Sequence, residues 1–414
     1  MTIVLKSGAA ITGYTVPERQ EDFGPEVDLA SRWLGGSVLA ASDESFGEKE
    51  NLLVPSPAAF EPGHYGHRGE IVDGWETKRR REPGYDWVLV RLGAPGTITA
   101  VDVDTSFFTG NFPSTCRIEA CGVDAYPSPR ELQGEDIEWI EIVPRSPLKG
   151  DGHNRFEVGD TRRFTHVRLS AFPDGGIARL RVYGHVVIDP RIVDDITIDL
   201  ASQDHGGQVV TSSDGFYTSA SMLNRPDKGR NMGEGWETRR RRDGGPDHAL
   251  LRLAMLGTIR SIEIDTAHFK YNASAEVALF GANTDAMPAP DAPQWRPLLL
   301  RTRLQPDTRH VFPVEDKFPC SFVRLDAFPD GGISRVRLWG NVDPKARSRA
   351  GYRWFNALPD KQAMSVMTKA GASEELARRT VDARPISPRT DINAEPTLSE
   401  FRKVLVGGNG DDNS

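Results

Sequence analysis

Cysteine is scarce, with three in 414 residues at Cys116, Cys121 and Cys320. That number is odd and too small for a disulfide framework, and no second ligand pair lies at metal spacing from Cys116 and Cys121. Buried small side chains in a reducing compartment are the expected reading. Long apolar runs are also missing, since nothing approaches the ~20 residues a spanning helix needs. The opening "MTIVLKSGAA" lacks the charged start, apolar core and cleavage site of a secretion signal. A soluble, cytoplasmic protein with no membrane partner is expected. Positive charge is not in excess either: 51 Lys and Arg face 59 Asp and Glu, a net −8, which argues against nucleic acid as the main partner. No Ser-His-Asp order, Cys-His pairing, phosphate-cradling glycine loop or His-x-x-x-His spacing is recognisable. Covalent catalysis and a zinc-hydrolase motif therefore have no direct support.

What the chain does have is repetition. "GWETKRRR" at Gly74 returns as "GWETRRRR" 161 residues later, and "DTSFF" at Asp104 returns as "DTAHF" at Asp265 with the same offset. "AFPDGGIARLRVYG" at Ala171 returns as "AFPDGGISRVRLWG" 156 residues later, and "DLAS" at Asp28 returns after 171. Four blocks in one order define a tandem duplication, and each unit is long enough to bury its own core. The first copy carries an insert ahead of its Trp block, with His64 and His67 in it.

Within each copy the segments are short, alternating and separated by Gly and Pro, as in "VLVRLG", "ITAVDVDT", "HVRLSAF" and "IARLRVYG". The expected class is all-β: tandem jelly-roll β-sandwich domains, galactose-binding-like, with a short helical C-terminal appendage. Two α/β domains would need amphipathic helices that the copies lack. In the last strand Arg179 and Arg181 alternate with apolar residues, as do Arg335 and Arg337, which predicts a cationic sheet face, more readily solvated or salt-bridged than ligand-binding. After residue 343, "LPDKQAMSVMTKAG" and "SEELARRTVDARP" read as two helices starting near Asp360 and Ser373. The expected division is an N-terminal arm at 1–27, repeats at 28–188 and 189–343, an appendage at 344–400 and a disordered tail at 401–414.

The chemistry-bearing residues sit in the repeated blocks. Glu76 and Asp104 have counterparts in Glu237 and Asp265, and each Trp block carries a guanidinium run, 79–81 and 239–242. Arginine offers a planar fork of donors that suits carboxylates and planar amides, and a nearby carboxylate can move protons. The plain alternative is an ion-pair cluster fixing a loop against Trp75. "GNFPS" after Asp104 is a loop whose backbone can approach a ligand closely. Copy two keeps Asn272 where copy one has Asn111, loses the Gly and Pro, and gains His268, a candidate general acid or base or a polar strand residue. Copy one has Asp86 and Trp87 after its arginine run, where copy two is read as offering His248 and Ala249.

These stretches, with "YDWVLVRLGAPGTITAVDVDTSFFTGNFPSTCRIEAC", resemble the allantoicase family over about residues 15–342, both copies in order. The resemblance implies paired jelly rolls, a homo-oligomeric enzyme, and conversion of allantoate and water to ureidoglycolate and urea. With that substrate, Glu76, Asp104, Glu237, Asp265 and His268 are the expected catalytic groups. Trp75, Arg79, Arg80, Asn111, Trp236, Arg239, Arg240 and Asn272 are the expected substrate contacts, with copy one leading. The resemblance leaves a divalent metal ion open as a cofactor, and His64 and His67 are a pair at usable spacing. The rival function is a non-catalytic jelly-roll module that binds a small anion or a carbohydrate. "FNALP" at Phe355 and "ARP" at Ala383 resemble the opening of a ureide-pathway decarboxylase. Its later His-bearing segments are absent, so the tail is expected to be an appendage without a second activity.

Overall fold

The two copies fold as two antiparallel β-sandwiches in a computed structural model that describes residues 26–66, 69–388 and 398–408. In the first, the strand order is Val27–Asp28, Arg179–Val186, Asp86–Asp104, Arg163–Phe172, Thr115–Cys121, Ile140–Pro147, and the second copy repeats it. The centre is one 19-residue strand, Asp86–Asp104, matched by Asp247–Asp265. Sequence patterning splits this strand at its glycines, whereas the chain runs through them. The first half pairs with Arg163–Phe172 and Ser37–Ala41, and the second half with Arg179–Val186 and His153–Glu157. A strand that changes sheets must bend where it crosses. Glycine is required there: a Cβ on Gly96 would lie 2.2 Å from the His185 carbonyl oxygen, and one on Gly257 2.7 Å from that of Asn341.

The repeated "DLAS" has a local cause. Asp28 Oδ1 accepts the N–H groups of Ala30 at 3.2 Å and Val182 at 3.0 Å, and Asp199 Oδ1 does the same for Ala201 at 3.1 Å and Leu338 at 2.8 Å. Each carboxyl ties the entry loop to the last strand. Burial pushes both groups up, Asp28 to about 6. The folded state thus holds this proton more tightly than the unfolded chain does. The contribution of Asp28 is fully present below about pH 4 and is lost as pH rises through about 6. Asn keeps the single accepting oxygen without ionising. Asp28→Asn is therefore expected to match the parent near pH 4 and to be ~1–3 kcal/mol more stable at pH 7, read from melting curves at both pH values. Lower stability at pH 7 would show that the Arg181 pairing outweighs burial.

One apolar core runs through both sandwiches and reaches Ala346 and Ala350. All three cysteines are buried, and burial pushes each thiol up to about 12. The appendage has its own core, around Trp354, Phe355, Leu358 and Phe401, docked on Val187. Besides the two expected helices, Asp360–Lys369 and Glu374–Asp382, it contains Pro344–Ala357 and Ser399–Val406. The former starts on Asp343, whose carboxylate accepts the N–H groups of Lys345 and Ala346, with Pro344 in the first turn. Residues 401–406 were expected to be disordered and are helical instead. Phe401 is fully buried edge-on to Phe355 at 4.8 Å, and Arg347 donates to the carbonyls of Val404 and Leu405. Most of the expected N-terminal arm, residues 1–25, and His67 lie outside the described residues. No described helix is long and apolar enough to cross a membrane.

Candidate active site

Three blocks far apart in sequence meet at one point in each sandwich. Trp75–Glu76 pairs with Gly176–Ile177, so the Trp block lies against the "FPDGG" block. Thr77 Oγ1 accepts the Gly175 N–H at 3.0 Å, and Asp174 accepts the Arg80 N–H at 2.7 Å. The "GNFP" loop closes on the same glycines. The Asn111 carbonyl accepts the Gly176 N–H at 2.8 Å, and a Cβ on Gly175, at φ +131°, would sit 2.4 Å from that oxygen. The Asn111 side chain then donates to Glu76 Oε1 at 2.7 Å. Copy two builds the same knot: Trp236–Glu237 pairs with Gly332–Ile333, Gly331 donates to Thr238 at 2.7 Å, Asp330 accepts the Arg241 N–H at 3.1 Å, and Asn272 donates to Glu237 at 2.6 Å.

Glu76 is half-buried, and desolvation raises its carboxyl above the usual range despite the Asn111 donation, which lowers it. Asn111 is its only side-chain partner among the described residues. The arginine run divides by alternation. Lys78 pairs with Asp43 at 3.1 Å and Arg80 with the buried Asp86 at 2.9 Å, whereas Arg79 and Arg81 are exposed and have no ion pair among the described residues. In copy two Arg239 lies 3.8 Å from Asp214 and Arg241 3.0 Å from the buried Asp247, and Arg240 and Arg242 are the exposed, unpaired ones. What sorts anchors from free cations is which side chain reaches a carboxylate.

Several expected site residues take other places. Trp75 and Trp236 are fully buried, and their indole N–H groups are spent on the carbonyls of Asp43 at 2.8 Å and Asp214 at 2.9 Å. They are core residues, unable to touch a ligand. Arg80 holds the Asp86 carboxylate, and Arg239 is exposed within 3.8 Å of Asp214. Asp104 closes its own loop, accepting the N–H and hydroxyl of Ser106 at 2.8 and 2.6 Å, and Asp265 accepts the Ala267 N–H at 2.8 Å. Among the described residues no hydrogen bond or ion pair joins either to the Glu–Asn pair. His268 sits at φ +72° and its Nε2 lies 2.9 Å from the Gly229 carbonyl. Its counterpart Phe107, at φ +69°, shows that the position is a loop bend first. The sheet-face arginines are salt-bridged, as expected, and not solvated: Arg179 and Arg335 are 1–2 % exposed, paired with Asp73 at 2.6 Å and Asp227 at 2.7 Å and bonded to backbone carbonyls.

Copy two was also read one residue out of register. Asp247 occupies the place of Asp86, bonded to Arg241 and to the Ser213 hydroxyl as Asp86 is to Arg80 and Ser42. Within that Asp-Trp pair the change is Trp87 to His248. The anchors Arg241, Thr77, Thr238, Asp174 and Asp330 were missed, although the repeated "PDGG" carried the signal. His64 is exposed, 3.6 Å from Glu61. Among the described residues no three His, Cys, Asp or Glu side chains gather to hold a metal ion, so the described residues do not fit the metal left open above.

Both sandwiches match the family model of the allantoicase repeat, over residues 27–187 and 198–343. The chain belongs to the allantoicase family. Probable allantoicases from Streptomyces coelicolor and Nocardia farcinica are 45% and 47% identical to it over 342 and 317 residues, covering 80% and 76% of this chain and 89% and 94% of theirs. The crystal structure of allantoicase from Saccharomyces cerevisiae is 34% identical, covers 76% of this chain and 93% of its own, and superposes with a TM-score of 0.64. Among allantoicase-family features, the matched repeats contain every block of the knot, and the helical appendage lies beyond them.

Division of labour in the arginine run is testable. Arg80→Ala leaves the buried Asp86 carboxylate unpaired and is expected to cost about 3 kcal/mol of stability. Arg79→Ala is expected to leave the melting temperature within about 1 °C, since exposed substitutions away from such features change stability little, while raising KM for the substrate. Equal destabilisation by both would refute the division.

Proposed function

We propose that the chain hydrolyses allantoate to ureidoglycolate and urea, a step of purine breakdown, with the Glu76 knot as its proton-handling centre. The observation that carries this reading is the half-buried Glu76 carboxyl, gripped on one oxygen by Asn111 and raised by burial, in the same block as Arg79 and Arg81, which are exposed and have no ion pair among the described residues. Allantoate carries a carboxylate and two ureido groups on one carbon. Arg79 and Arg81 would bind the carboxylate and ureido oxygens. Protonated Glu76 would give its proton to the nitrogen of the departing urea as the carbon–nitrogen bond breaks. The remaining ureido group supplies the electron pair for an imine-like centre. Water then adds to that carbon and returns its proton to the Glu76 carboxylate, which closes the cycle.

A group that gives and takes a proton in one turnover works best with a pKa lifted towards neutrality, which is the direction burial moves Glu76. Copy one is favoured over copy two because Tyr85, tilted against Phe172 with ring centroids 4.8 Å apart, stands where copy two has Pro246. We place the enzyme in the cytoplasm as a homo-oligomer, with the appendage an assembly element separate from the 28–188 and 189–343 repeats. The deciding experiment is urea release from allantoate by the purified protein, before and after chelator treatment. Release that survives chelation supports the metal-free scheme, and no release under any condition would leave a ligand-binding module.

A further inference from the structure

A separate cavity of about 440 Å³ opens where the first sandwich meets residues 204 and 205 of the second. Its lining includes Arg91, Arg163, Thr165, His166, Asp204 and His205, none of which the proposed reaction uses. His166 is 2 % exposed. Thr165 fixes its ring: the hydroxyl oxygen is 2.8 Å from Nδ1, 3.2 Å from the Cys121 carbonyl, and 3.1 Å from the Val123 N–H that it accepts. A hydroxyl has one proton, and in the tautomer where that proton goes to the carbonyl the oxygen accepts Nδ1–H. Nε2 is then the nitrogen with the bare lone pair, and it is buried without a hydrogen-bond partner among the described residues. Burial, with the Arg91 charge nearby, pushes this imidazole down to about 4, so it stays neutral.

Arg163 is the second anomaly. It is 5 % exposed, and its Nε donates to the Val187 carbonyl at 2.6 Å, but among the described residues it has no ion pair. Asp189 and Asp124, which also line the cavity, act on its charge without an ion pair to it among the described residues. Asp189 is committed to Arg191 and Asp124 to Gln362 and Lys369. A guanidinium buried to this degree without an anion is costly. Neither feature belongs to the shared scaffold, because in copy two Pro319 stands in the place of Arg163 and Phe322 in that of His166. The volume is in the range of small-molecule sites, ~300–1,000 Å³. A buried guanidinium beside an imidazole nitrogen suits a small anion that also makes a hydrogen bond. We propose that this cavity binds a small carboxylate that also carries an N–H or O–H donor, with the carboxylate on Arg163 and the donor on His166 Nε2.

Ureidoacetate is a suitable probe: it has one carboxylate and ureido N–H groups, and lacks the second ureido group whose departure the reaction requires. Calorimetric titration of the full chain is expected to show a site that binds ureidoacetate at least tenfold more tightly than acetate, which has no donor. His166→Phe installs the copy-two residue and should weaken that site at least tenfold while urea release from allantoate is kept. Ile192→Trp, at a half-exposed lining position, should block the same site and decides the matter if His166→Phe does not fold. Unchanged affinity and stoichiometry in the folded variants would overturn the proposal and leave a water-filled cavity. Loss of turnover together with ureidoacetate binding would uphold the cavity as a ligand site and remove Glu76 from the reaction.

Discussion

Glu76→Gln is expected to lower kcat for urea release by ~10²–10⁴-fold, the usual worth of a positioned acid–base group, with the melting temperature almost unchanged. Gln has the same shape and can still offer an oxygen to Asn111 Nδ2, which now donates to Glu76 Oε1 at 2.7 Å. What it cannot do is gain or lose a proton. A carboxylate present only to hold the "GNFP" loop would therefore survive the change, and one that moves protons would not. Glu237→Gln is the matched control, because Glu237 holds Asn272 in the same way at 2.6 Å. It is expected to lose less than tenfold if copy one carries the reaction. Steady-state kinetics and thermal melts on the three proteins separate the outcomes. Full turnover in Glu76→Gln would remove Glu76 from the chemistry, and equal losses would mean that one site draws on both copies.

The duplication, the sandwich class and the family were legible because whole blocks recur, and a block carries its spacing with it. Contacts between blocks were not legible. Glu76 and Asn111 are 35 residues apart and Thr77 and Gly175 are 98 apart, so only the fold brings them together. The side chains most conspicuous in the sequence were also the most misleading. Trp75 recurs because a buried indole with one carbonyl partner organises the loop, and Arg179 recurs because it bonds that loop from within. The free cations, Arg79 and Arg81, look no different in sequence from the anchored Arg80. Only the reach of Arg80 to the buried Asp86 sorts them. In the tail, "GGNGDDNS" coloured the reading of the residues before it, although Phe401 and Leu405 lie four apart on the buried side of a helix.

Arg179→Ala should be the most damaging change to stability, and it tests whether the site is built from the inside. Arg179 donates to the carbonyls of Ser56 at 3.0 Å, Asp73 at 2.9 Å, Ala178 at 2.8 Å and Pro57 at 3.3 Å, and to the Asp73 carboxylate at 2.6 Å. All five N–H groups of the guanidinium are thus committed within a site that is 1 % exposed. Removing it leaves a half-buried carboxylate and several carbonyls without their donor, a loss of about 3–5 kcal/mol. For a unit of this size that corresponds to a melting temperature lower by roughly 10 °C. Asp73 lies two residues before Trp75, so the same change should loosen the strand that presents Glu76 and reduce turnover along with stability. Glu76→Gln should lose turnover alone. If Arg179→Ala instead melts like the parent, the loop is held by the Trp75 indole and the strand pairing with Gly176–Ile177, and the buried guanidinium is dispensable to the site.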